Sequence, residues 1–397
     1  MMNAHWHPPQ LHTAHDTEEE RKVTWLELFY DLVYVATIIQ LGNWLSDNVS
    51  PSGFAGFFFL FVLIWWSWTG ITFYINRIVV DDVWHRVLIF VQMFAIAVMA
   101  ISVNGAFGEK AGQFALAYAG VRLILIALYL RAGTHIPEAR PLTRRYATGF
   151  ALAAVLWIIS AFLPAPLRYA FWAGGLALDF ATPLSRRSRQ MNARIAPDVP
   201  HMSERYGLLT IIVLGESFVK VISSASDEHL GFAALISGMF GMIAACSLWW
   251  LYFDNVAGAM VRATGRAPYV WIYSHLPLAL GLTAFGVGIK KLVILHAGDP
   301  FADKYRLLIC GAVILCLVFI ALIDLVTVQS EQRTSSQTRA QLRFGAAAVV
   351  LLLAFVGAWL PPLGLIVLIA CACAAPVVVD LLLESRKSGP LTRPVTH

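Results

Sequence analysis

Runs of about 20 apolar residues recur along this chain between short polar segments, and each run is long enough to cross about 30 Å of hydrocarbon as a helix. In lipid every backbone N–H and C=O must be satisfied internally, so only helices and closed barrels can span. Runs of this length without period-two alternation specify helices. With 58% hydrophobic and 13% charged residues in 397, the chain reads as an all-α polytopic membrane protein rather than a soluble globule.

About twelve transmembrane helices are expected. The first six are Trp25–Trp44, Phe54–Ile75, His85–Val103, Gly112–Leu130, Tyr146–Leu163 and Leu167–Pro183. The second six are Tyr206–Ala225, Phe232–Phe253, Trp271–Leu295, Tyr305–Val328, Leu342–Leu360 and Leu363–Leu383. The division is therefore a disordered cytoplasmic tail over 1–24, a first membrane half over 25–183, a basic cytoplasmic linker over 184–205, a second half over 206–383, and a cytoplasmic tail over 384–397. Arginines gather on one side of this arrangement, among them Arg77, Arg131, Arg144, Arg186, Arg262 and Arg339. Cytoplasmic loops retain such charge, so both termini are expected inside. The net charge of +5 is this bias and calls for no nucleic acid partner.

The two halves show signs of repetition. Gly53-Phe-Ala opens the second span and Trp65-Trp66 lies near its end; Gly231-Phe-Ala precedes the eighth and Trp249-Trp250 lies near its end. Six spans separate the copies, so two parallel six-helix repeats are expected rather than an inverted pair. Under that alignment Glu27 of the first span falls opposite Glu204.

Carboxylates are costly in hydrocarbon, so those in spans are candidate functional groups. Glu27 and Asp31 lie four residues apart and project from one helix face, with Gln40 assigned near the same stripe. Two adjacent carboxylates in a low dielectric raise each other's proton affinity unless a cation sits between them, which suits a site for a proton or monovalent cation. Glu216 and Ser217 offer a second polar spot in the seventh span, with Gly215 expected to admit another backbone. Lys220, one turn on, gives Glu216 a plainer role as half of an ion pair. His275, before Pro277, is a candidate proton relay or a hydrogen-bonded packing residue. Arg122, Glu204 and Arg205 are the expected charge partners.

Thr24-Trp-Leu-Glu-Leu-Phe-Tyr-Asp-Leu-Val-Tyr-Val35, Glu204-Arg-Tyr-Gly-Leu-Leu-Thr-Ile-Ile-Val-Leu-Gly-Glu-Ser217 and Ser274-His-Leu-Pro-Leu278 resemble hallmark segments of the bacterial low temperature requirement protein A (LtrA) family. The resemblance implies an integral protein of the bacterial inner membrane, named for a growth phenotype in the cold. It implies no reaction.

No nucleophile elbow, phosphate loop, HExxH or Cys-His constellation occurs, so no enzyme, metal or cofactor is expected, with an intramembrane lipid-acting enzyme left open. The expected function is a proton- or cation-coupled transporter of a small solute or ion. The alternatives are a cation channel and a non-transporting envelope or lipid-adaptation factor. Membrane lipids are the remaining expected partners.

Overall fold

The computed structural model describes residues 8–11, 22–195, 197–225, 232–262, 265–295, 301–328 and 334–387. Most of the N-terminal tail and the end of the C-terminal tail lie outside the described residues. The chain divides into two compact units, Met1–Trp44 with Ala55–Arg205, and Leu45–Phe54 with Tyr206–His397.

The first unit is built on α1 (Trp25–Asp47), α2 (Pro51–Arg77), α3 (Val83–Val103), α4 (Ala111–His135), α5 (Arg140–Ala161), α6 (Leu167–Leu184) and the short basic α7 (Arg186–Arg194). A two-residue strand β1 (Gln10–Leu11) pairs antiparallel with β2 (Ile78–Val79). Helix α3 starts where the Asp82 side chain accepts from the His85 N–H, and α7 where Ser185 accepts from Ser188, which satisfies otherwise orphaned donors. Helices α3, α4, α5 and α6 pack in sequence, each on the next.

Helix α8 (Val199–Ala225) opens in the first unit and continues in the second. The second unit adds α9 (Phe232–Phe253), α10 (Ala267–Val293), α11 (Asp303–Leu325), α12 (Ser336–Val356), a 3-10 turn at Gly357–Trp359, and α13 (Pro362–Lys387). Helix α10 packs closely on α11 because Gly288 has no side chain: a Cβ there would stand 2.8 Å from Ile309 Cβ. Helix α9 lies against α13, and α12 against both α11 and α13.

Among the described residues, ten helices are long and apolar enough to cross a membrane. All the expected spans fall on helices, but α6 and α8 are not among those ten. Helix α6 has only 18 residues and carries Arg168 and Asp179; α8 carries Glu204, Arg205, Glu216 and Lys220. Large apolar side chains such as Phe94, Phe162 and Leu352 are exposed, as expected of helices whose outer faces meet lipid.

Three helix starts precede the expected ones by six or seven residues. Helix α5 begins at Arg140, α8 at Val199 and α12 at Ser336, each well before the apolar run that marked it. The extra turns are polar, and hydropathy alone trims them. Arg339, read above as a loop charge, is consequently a buried helical residue, as is Arg343 at the start of the expected span.

Candidate functional site

Two i, i+4 pairs face each other in the first unit, Glu27 and Asp31 on α1, His201 and Arg205 on the first turns of α8. The start of α8 is held to the end of α2 by a reciprocal pair. Asn76 donates its side-chain amide to the Asp198 carbonyl and accepts from the Asp198 N–H, both at 2.8 Å. Asp198 also accepts from the His201 N–H at 3.2 Å, a cap that turns His201 and Arg205 inward.

Arg205 Nη2 stands 2.5 Å from Asp31 Oδ1, and Nη1 lies 3.6 Å from Glu27 Oε2. His201 Nε2 is 2.9 Å from that same Glu27 oxygen. Trp68 donates its indole N–H to Asp31 Oδ1 at 2.7 Å, and its ring lies under the Arg205 guanidinium at 5.8 Å. Thr24 donates to Glu27 Oε1 at 3.0 Å. Glu27, Asp31, His201 and Arg205 are all buried.

Among the described residues two carboxylates converge on one guanidinium, which stays protonated at any relevant pH. Carboxylates this close to one another can share a proton or hold a monovalent cation. Buried hydrogen-bonding capacity is also left over: Asp31 Oδ2 and Arg205 Nε and Nη1 have no hydrogen-bond partner among the described residues.

Deeper in the unit, the Tyr30 hydroxyl donates to Gln92 Oε1 at 2.8 Å and the Tyr34 hydroxyl to Ser67 Oγ at 3.0 Å. Gln92 donates to the Val121 carbonyl at 2.8 Å. The next residue, Arg122, is fully buried and pairs with Asp179 at 3.0 Å. The Tyr118 hydroxyl accepts from Arg122 at 3.1 Å and donates to Asp179 at 3.0 Å.

Asp82 ends the loop before α3 and is clasped by Arg131 of α4. Burial pushes its carboxyl up, but the Arg131 hydrogen bond and the His85 N–H outweigh burial and hold it below the ordinary carboxylate range.

The remaining expected site residues lie elsewhere. Gln40 is exposed, because nine residues at about 100° each place it half a turn from Asp31; its assignment to the acidic stripe is corrected. Glu204 is also exposed, and accepts from the Val23 N–H at 3.1 Å rather than joining Glu27. Glu216, Ser217 and His275 belong to the second unit. Lys220 Nζ lies 3.6 Å from Glu216. The close approach expected at Gly215 is absent, since a Cβ there would meet nothing within 4 Å; it occurs at Gly286, whose Cβ would lie 2.8 Å from Ser217 Oγ. His275 Nδ1 faces the Trp271 carbonyl at 2.7 Å and Nε2 the Tyr252 hydroxyl at 2.9 Å. Nδ1 therefore carries the proton and Nε2 accepts, the pattern of a neutral packing histidine.

Sequence reasoning missed His201, and Trp68 as a partner of Asp31, and placed Arg339 in a loop. The available signal was Asp198, a capping residue three before His201, followed by the His201–Arg205 spacing. In the second unit Asp324 accepts from Arg339 Nη2 at 2.8 Å and Nε at 2.9 Å, and from Arg343 Nη1 at 2.5 Å. Ser335 caps that helix start, accepting from the Thr338 N–H.

Comparison with known proteins agrees with the resemblance carried by the hallmark segments. The chain is 28% identical over 293 residues to an uncharacterized protein of Rhizobium meliloti (strain 1021), covering 69% of this chain and 70% of the relative. The profile of the family described as "Bacterial low temperature requirement A protein (LtrA)" matches residues 22–379, which include the whole buried cluster. The chain belongs to the bacterial low temperature requirement A protein family.

Proposed function

We propose that this protein is a proton- or cation-coupled transporter of a small solute or ion, and that Glu27 and Asp31, with His201 and Arg205, form its ion site. The observation that carries the reading is a buried carboxylate pair converging on Arg205, with Asp31 Oδ2 and Arg205 Nε and Nη1 left without a hydrogen-bond partner among the described residues, which suits an exchangeable proton or cation. In this reading all twelve long helices span the bacterial inner membrane as two parallel halves, with both termini inside and the arginine-rich ends of the helices facing the cytoplasm. Neither an enzymatic reaction nor a cofactor enters the account, and growth at low temperature depends on the flux.

The test is ion flux into proteoliposomes under imposed pH and potassium gradients, comparing wild type with Asp31→Asn and Glu27→Gln. Flux in the wild type that falls at least tenfold in folded Asp31→Asn supports the reading. Equal flux in all three, or none in any, refutes it. Saturation with rising ion concentration distinguishes a carrier from a channel.

A further inference from the structure

The acidic cluster is one end of a longer polar column inside the first unit. Tyr34, one turn beyond Asp31 on α1, donates to Ser67, and Gln92 donates to the Val121 carbonyl beside Arg122. Tyr30, Gln92 and Ser67 fill the stretch between with hydrogen bonds. The column ends at Arg122–Asp179, where Arg122 Nη1 and Asp179 Oδ1 are buried with no hydrogen-bond partner among the described residues. Buried polar atoms left over at both ends are the places where water ordinarily completes the bonding.

Beyond Tyr118 the chemistry changes abruptly. The Tyr118 ring packs on Trp157 at 4.4 Å, and Trp157 on Trp172 at 5.4 Å. Phe114 packs on Trp172 at 5.5 Å, and Phe59 stacks on it with the two rings within 1° of parallel. Trp172 has no exposed surface and is fixed by donating its indole N–H to Ser160 Oγ at 2.9 Å. Gly175 gives Trp157 room, since a Cβ there would lie 2.6 Å from the indole nitrogen. A plug of close-packed rings offers few hydrogen-bonding groups and so blocks both water and ions.

We propose that the first unit holds a self-contained hydrated path for a proton or small monovalent cation, from Glu27 and His201 to Arg122 and Asp179, and that the Trp172 aromatic cluster is the gate at its far end. The inference rests on the transport reading above and adds the route and its barrier. The path lies wholly within one unit. Rotation of the Trp172 side chain away from Ser160 is the opening motion, because that single hydrogen bond fixes the indole's orientation.

Proteoliposome flux with Trp172→Ala, Phe59→Ala and the double variant Trp172→Ala/Asp31→Asn tests the gate. A second readout is attack by a membrane-impermeant methanethiosulfonate on Ser160→Cys, placed in a chain whose five native cysteines are replaced. The expected result is flux at least fivefold above wild type in Trp172→Ala, a smaller rise in Phe59→Ala, and a return to background in the double variant. The introduced thiol is expected to react only when Trp172 is also replaced. Wild-type flux in both single variants, with the introduced thiol unreactive throughout, overturns the gate while leaving the transport reading standing. No flux in any protein, wild type included, overturns both.

Discussion

Among the described residues, two carboxylates of the first unit converge on one guanidinium, whereas in the second two guanidinium groups converge on one carboxylate. The difference goes beyond sign. Both Asp324 oxygens are hydrogen-bonded by Arg339, which forms a two-pronged fork. Arg339 Nη1 and Arg343 Nη2 are used on the Thr334 and Leu251 carbonyls. Asp380 of α13 lies within electrostatic reach of Arg343 and offsets the surplus positive charge. That cluster is a clasp tying α12 to α11 and α9. The first unit's cluster, by contrast, leaves one oxygen of its shared acid, Asp31 Oδ2, without a hydrogen-bond partner among the described residues, which suits exchange rather than fastening.

The contrast is most easily broken by removing the shared group in each unit. Asp324→Ala leaves two buried guanidinium groups without their carboxylate and should cost roughly 3–5 kcal/mol, enough to prevent accumulation of folded protein. Asp31→Asn should cost much less, because Glu27 still faces Arg205; thermal unfolding in detergent compares the two. If Asp31→Asn is the more destabilising, the assignment of clasp and exchange site is reversed.

Arg122 and Asp179 sharpen the comparison from inside the first unit. Arg122→Met or Asp179→Leu alone should destabilise by about 3–5 kcal/mol, while the double variant recovers most of that loss. A recovered fold without recovered flux would separate the pair's structural contribution from its place in the path. Gly70→Ala is a milder probe. Its Cβ would lie 3.0 Å from Arg122 Nη1 and 3.1 Å from Leu125 Cδ2, so overpacking of about 1–3 kcal/mol is expected in the same unfolding assay.

The smallest effect concerns pH. Asp82 has a folded value below its unfolded one of about 3.9, so its link to Arg131 contributes stability above that value. The contribution is lost as pH falls through the lowered folded value. Asp82→Asn should therefore lower the melting temperature at pH 7, and the gap to wild type should close toward pH 2. A gap that is constant with pH would assign the effect to helix capping alone.

Much of the fold was legible because apolar runs are long and helices in lipid have no alternative. Glu27 and Asp31 were legible as a face because their spacing alone fixes it. Arg205 was legible as a charge partner, but His201 was not, since it sits on a polar first turn that carries no hydropathy signal, and Arg339 was misread as a loop charge for the same reason. Gln40 failed through a drift of phase over nine residues. Ser217 found its close neighbour at Gly286 rather than through Gly215, a tertiary match that no local spacing encodes. The aromatic cluster joins Phe59, Phe114, Trp157 and Trp172 from four different helices and was invisible in the sequence.

The central claim is that the first unit's cluster carries an exchangeable charge and the second unit's acids do not. Charge displacement after a pH or potassium jump, recorded on proteoliposomes adsorbed to a solid-supported membrane, tests it most directly. The predicted result is a transient in wild type that is lost in Asp31→Asn and Glu27→Gln and stays within about twofold in Glu216→Gln, where Lys220 already neutralises the acid. A transient that survives in folded Asp31→Asn but vanishes in Glu216→Gln would contradict the claim and move the ion site to the second unit.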